Sequence, residues 1–133
     1  MRADTRTISI DAPAAEVMRF VADPANLPRW AVGFAKSVRR ENGGWSVETA
    51  GGKMPIRIRA DEATGVVDFV MSPQPGIEIL AASRVVPRGL ACEYVFTQFQ
   101  GPGMPDDAFL KSVQALQHEL KVLKAIAEVE CPL

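Results

Sequence analysis

An α+β fold is what this sequence predicts: one strand, two short helices, six further antiparallel strands and a long C-terminal helix. Three observations carry the prediction. Ile8 to Trp30 runs strand, turn, amphipathic helix and Trp-bearing loop; Ser37 to Gln98 breaks into short runs punctuated by Gly, Pro and Asn; and Phe109 to Ala127 carries an apolar stripe at helical spacing.

Thr5 to Ile10 alternates polar and apolar residues, with Ile8 and Ile10 on one face, which is strand periodicity. Pro13 suits a first helical position, with Asp11 or Ala12 before it, and Val17, Phe20 and Val21 then recur at helical spacing, so the first helix is expected over Pro13 to Ala22. Asp23-Pro24 breaks it, and Leu27-Pro28-Arg29-Trp30 leaves room for a short second helix. Turns follow at Asn42-Gly43-Gly44, Gly51-Gly52, Ala63-Thr64-Gly65, Pro73-Gln74-Pro75-Gly76 and Pro87-Arg88-Gly89, delimiting six strands. The last helix is expected from about Asp106 to Val129, its first-turn aspartates placed at the positive end of the helix dipole.

The 133 residues suit one domain over 1–133; a chain of this length buries roughly 70% of the surface its unfolded form exposes. A net charge of −1 with interspersed signs offers nucleic acid no basic face, so no nucleic-acid partner is expected. Arg2, Asp4 and Arg6 stand where a signal or anchor would be apolar, which predicts a cytoplasmic protein without stable membrane insertion. Cys92 and Cys131 have neither the spacing of a disulfide framework nor that of a metal site, and are read as free thiols.

Ile10-Asp11-Ala12-Pro13 followed by Val17, then Ala22-Asp23-Pro24, Leu27-Pro28-Arg29-Trp30 and the closing run Ala115 to Lys124 together resemble the START/Bet v 1-like (SRPBCC) superfamily, and within it the polyketide cyclase/dehydrase-type members. The resemblance covers nearly the whole chain. It implies a helix-grip fold, in which a curved sheet grips the long helix around an apolar cavity. It implies binding of a hydrophobic or aromatic small molecule (lipid, polyketide or quinone-like), with a cyclase or dehydratase enzyme and a protein-interaction module as alternatives. It brings no universal catalytic motif and no cofactor.

Strand parity selects the residues that face such a cavity, because side chains two apart share a face. Met54, Ile56 and Ile58 oppose Lys53, Arg57 and Arg59; Val67, Phe69 and Met71 oppose Asp68; Ala81, Ser83 and Val85 oppose Arg84; and Leu90, Cys92, Tyr94, Phe96 and Gln98 oppose Glu93. The inner face is thus apolar, with Thr49, Ser83, Cys92, Tyr94 and Gln98 as sparse polar groups, a composition suited to an apolar ligand oriented by few hydrogen bonds. The candidate ligand-binding residues are Trp30, Phe34, Met54, Phe69, Met71, Ser83, Tyr94, Phe96, Gln98, Phe109 and Val113. Taken singly, each reads more readily as a filler of a closed core. Trp30 is either a gate that stacks on a flat ligand at the cavity entrance or an anchor for its loop, and the Tyr94 hydroxyl, if buried, needs a ligand, water or the backbone as partner. The charged set Arg57, Arg59, Glu78, Arg84 and Glu93 reads as a solvated cross-strand ladder on the outer face.

No constellation of catalytic residues stands out. His118, the sole histidine, lies about 200° around the helix from Leu116, facing away from the apolar stripe, and lacks a second imidazole for metal ligation. Asp23 reads as turn chemistry and Glu16 as a solvent-side residue. Arg40 shares the parity of Val38 and either points into the pocket mouth or snorkels to water. Val86, Val95 and Phe99 offer a small outer apolar surface on which a homodimer would form.

Overall fold

In the computed structural model, which describes residues 2–133, seven antiparallel strands form one sheet in the order β1-β7-β6-β5-β4-β3-β2. The strands are β1 (Ala3–Ile10), β2 (Ser37–Glu41), β3 (Gly44–Thr49), β4 (Gly52–Asp61), β5 (Val66–Gln74), β6 (Ile77–Arg88) and β7 (Ala91–Phe99). Between β1 and β2 the chain forms α1 (Ala14–Ala22), a 3-10 turn at Pro24–Asn26 and α2 (Leu27–Trp30), and it closes with α3 (Asp106–Glu130). This is the predicted architecture: β2 to β7 follow as hairpins, and β1 joins the far side of β7, pairing Ile8 with Tyr94 and Ile10 with Cys92.

Local chemistry explains the turns. Asn42 and Gly43 both take positive φ (51° and 76°) between the paired residues Glu41 and Gly44, the two-residue hairpin geometry whose twist matches that of the strands. Gly65, at φ 78°, accepts the Val85 N–H at 2.9 Å, and a Cβ there would lie 2.2 Å from the Val85 carbonyl oxygen. Only glycine fits that approach. Asp23 caps the 3-10 turn, its Oδ1 accepting the Ala25 N–H at 3.0 Å, as its turn reading requires.

Several expectations need correction. Pro13 is the N-cap of α1, extended at ψ 136°, so the helix begins one residue later; Asp11 does not cap it, and its N–H instead donates to Glu128 Oε2 on α3. Leu90 belongs to the β6–β7 turn and is 82% exposed, since strand parity does not extend into a reversal. Of the two readings of Arg40 the structure bears out snorkelling, the side chain being exposed with its guanidinium 5.4 Å from the Trp45 ring. The outer ladder is partial: Arg57 pairs with Glu78 at 3.0 Å and Arg59 with Asp68 at 3.8 Å, but Arg84 donates to the Thr64 carbonyl, and Glu93 accepts from Ser9 and Thr7 on β1.

The core lies between the inner sheet face and the helices. Ile10, Val17, Val21, Val47, Val67, Cys92, Tyr94, Leu123 and Ala127 are wholly buried, and each large aliphatic side chain so placed contributes about 1.5–3 kcal/mol. α3 is fastened near its C-terminal end by Lys124, whose Nζ donates to the Ser9 carbonyl at 2.8 Å and to Glu128. Arg29 on α2 pairs with Glu130 nearby. Both cysteines are free, and burial pushes both thiols above their ordinary pKa.

Candidate functional site

Trp30 sits at the end of α2 because Leu27 and Trp30, three residues apart, turn one face of that short helix into the core. The indole meets three rings carried on inner-parity positions of the sheet: Phe69 at 6.4 Å, Tyr94 at 6.2 Å and Phe96 at 6.5 Å between centroids. Phe69 and Phe96 are 5.9 Å apart and Tyr94 and Phe96 6.2 Å, all within the range where tilted and edge-on aromatic pairs attract. Trp30 is only 2% exposed, so of its two readings, gate and anchor, the burial fits the anchor.

Two donors in this interior have no partner. Among buried side-chain nitrogens and oxygens of the described residues, Trp30 Nε1 and Gln98 Nε2 make no hydrogen bond. Gln98 lies two residues along β7 from Phe96, on the same face, and opposite the small Ala81 of β6. A buried N–H without an acceptor costs about 1–3 kcal/mol.

Tyr94 is different, because its hydroxyl is satisfied within the protein: it donates to Ser83 Oγ at 3.0 Å, which donates to the Val67 carbonyl at 2.6 Å. The partner is thus a side chain, none of the three foreseen. Burial holds the phenol well above its ordinary pKa, only partly offset by Ser83. Thr49, another expected inner polar group, spends its hydroxyl on the β3–β4 turn, bonding Gly52 O and Gly51 N.

Of the other candidates, Met71 belongs to the same buried cluster, and Phe34 and Met54 pack against it half-buried. Phe109 and Val113 are buried along the N-terminal half of α3 but lie apart from that continuous cluster. His118 is exposed, as expected of its helix face. Val86, Val95 and Phe99 are half-buried. A separate groove of about 440 Å³ opens on another part of the sheet, lined by residues that include Trp45, Lys53, Met54, Pro55, Arg57 and Val70.

Glu119 is the residue that the sequence reading passed over. It is 5% exposed, and its Oε2 accepts the N–H groups of Gly33 and Phe34, both at 3.0 Å. Burial pushes its carboxyl up to about 7, against the two N–H bonds that would lower it. A signal was present, since Glu119 falls three residues after Leu116 and four before Leu123, inside the apolar stripe.

A curved antiparallel sheet packed on one long helix, with an aromatic interior between them, defines a helix-grip fold, the fold shared with Ara h 8.0201. The chain belongs to the family described as polyketide cyclase / dehydrase and lipid transport, whose model matches residues 1–128. No curated protein matches it. Among solved structures it is similar to the protein XoxI from Bacillus cereus (TM-score 0.76, 15% identity, 96% of each chain covered). It is also similar to the Zhui aromatase/cyclase from Streptomyces sp. R1128 (0.70, 19%, covering 96% of this chain and 93% of that one). A START superfamily protein from Mycobacterium smegmatis is a third (0.69, 16%, 95% and 97%). At these identities the likeness is one of fold. No helix among the described residues is long and apolar enough to cross a membrane.

Proposed function

We propose that this protein binds a flat, largely apolar small molecule bearing carbonyl oxygens, of the polyketide or quinone kind, between the inner sheet face and α3. The observation that carries the reading is the pair of unpartnered donors, Trp30 Nε1 and Gln98 Nε2, in an interior otherwise lined by rings and aliphatic groups. Carbonyl acceptors on a ligand would supply what the protein leaves out, while Phe69, Phe96 and the indole would part and restack on its faces. A lipid tail suits the apolar walls, but only its polar end would meet the donors. The family description and the aromatase/cyclase name of a structural neighbour support a carbonyl-rich ligand. They also support a second reading, in which the same interior receives a reactive chain, folds it and accelerates its cyclisation by positioning.

Calorimetric titration with a substituted 1,4-naphthoquinone tests the placement. Trp30→Phe and Gln98→Leu each remove one donor and keep apolar bulk, so each is expected to weaken binding about 2- to 10-fold, the equivalent of one net hydrogen bond. Unchanged affinity in both variants, or no binding by the parent protein, would overturn the reading.

A further inference from the structure

The segment Ala31–Lys36 joins α2 to β2 and runs past α3 between two aromatic residues of the interior, Trp30 just before it and Phe34 within it. Its own bonds are few. Phe34 and Ala35 donate to the Ala31 carbonyl in a single turn, and Lys36 donates to Glu48 O at its far end. The middle of this strap is held to α3 by Glu119, whose Oε2 takes both the Gly33 and the Phe34 N–H groups. For Gly33 that carboxyl oxygen is the partner, whereas Phe34 also has the Ala31 carbonyl. The approach is close: a Cβ on Gly33 would stand 3.1 Å from Ala115 Cβ, so glycine lets the strap lie against the helix.

A carboxyl in this position faces a conflict between hydration and bonding. Closed, it loses water, which disfavours the charged form, and gains two N–H donors, which favour it; here burial wins, and the group titrates near 7 rather than at its ordinary 4.5. No cation relieves the conflict. His118 and Lys121 beside it on α3 and Lys36 on the strap are exposed, Arg29 on α2 pairs with Glu130, and none of them contributes to the shift.

We propose that Glu119 is a pH-operated latch on the Ala31–Lys36 strap: protonated, it stays buried and holds the strap against α3; ionised, it is drawn to water and lets the strap lift, opening the way to Trp30. The proposal rests on the interior being the binding site, and gives that site its regulation. The direction follows from linkage. The closed state holds the proton more tightly than an open, hydrated one, so closure is favoured at acidic pH and opening grows as pH rises from about 4.5 to about 7. A carboxyl that regains its ordinary value on opening would shift the equilibrium by up to about 300-fold across that interval.

Amide exchange followed by NMR tests the latch without any ligand. The protection of the Gly33 amide, corrected for intrinsic exchange, is expected to fall at least tenfold between pH 5 and pH 8 in the parent protein while amides of the central strands keep theirs. Glu119→Gln, which keeps the acceptor but does not titrate, is expected to be flat over the same range. Gly33 protection that is independent of pH in the parent protein, or that changes equally in Glu119→Gln, would overturn the proposal; the parent measurement decides alone if the variant does not fold. A parallel arm measures the association rate of 1-anilinonaphthalene-8-sulfonate at the two pH values. Faster association at pH 8, abolished by Glu119→Gln, ties the latch to the interior. PH-dependent Gly33 protection without any binding of the probe at the indole of Trp30 would overturn the link to the binding site while leaving the strap movement in place.

Discussion

Replacing Ser83 by alanine isolates the buried hydroxyl relay of the interior. In the parent protein Tyr94 donates to Ser83 Oγ at 3.0 Å and Ser83 donates to the Val67 carbonyl at 2.6 Å, with Tyr94 wholly buried and Ser83 6% exposed. Ser83→Ala removes both bonds and strands the phenolic O–H, a loss of about 2–3 kcal/mol, mostly the desolvation of an unpaired donor. Tyr94→Phe removes only the first bond and leaves Ser83 bonded to Val67, a loss of about 1 kcal/mol. In the double variant no donor is stranded, so its loss is expected to fall short of the sum by about 1 kcal/mol or more. Urea unfolding of the four proteins, with the slope constant across the set, reads these differences as shifts in midpoint. Additive losses, or a Ser83→Ala loss no larger than that of Tyr94→Phe, would refute the reasoning that Tyr94 is satisfied internally rather than held ready for a ligand.

Other consequences are equally open to measurement. Gly65→Ala should cost roughly 3 kcal/mol or more by thermal or urea unfolding, because the new Cβ meets the Val85 carbonyl at 2.2 Å with φ positive; a loss under about 1 kcal/mol would mean the β6 backbone yields freely there. A thiol reagent should modify Cys131 well before Cys92, since Cys92 is wholly buried and both thiols are held above their ordinary pKa by burial; equal rates in the folded protein would contradict the packing. Global stability should fall as pH rises from about 4.5 to about 7, because the raised Glu119 carboxyl binds its proton more tightly folded than unfolded; Glu119→Gln should remove that slope. Below pH 4.5 the sign reverses: Glu93 and Glu128, both lowered by hydrogen bonds, lose their contribution as they protonate.

The fold was legible because its signals are local. Period-two alternation, the Asn42-Gly43 turn and the stripe from Phe109 to Ala127 each fix an element without knowledge of its neighbours, and inner parity placed Phe69, Tyr94 and Phe96 on one face. What parity does not give is what a side chain meets across the core. The short helix over Leu27–Trp30 was legible, but not that it turns Trp30 inward onto three rings from β5 and β7. The Tyr94 to Ser83 bond joins positions on two strands that only the hairpin register brings together. The place of Glu119 inside the apolar stripe is legible, but its partners are not, being backbone N–H groups of a loop that carry no residue-type signal.

The central claim, that the interior around Trp30 receives the ligand, has a direct test in the two tryptophans of this chain. Trp30 lies in the interior and Trp45 beside the surface groove, so their indole N–H resonances report the two locations separately. Titration with a substituted 1,4-naphthoquinone should move the Trp30 indole and the Gln98 side-chain amide together and to saturation, with Trp45 little changed. Saturable movement of Trp45 with Trp30 and Gln98 left in place would contradict the account.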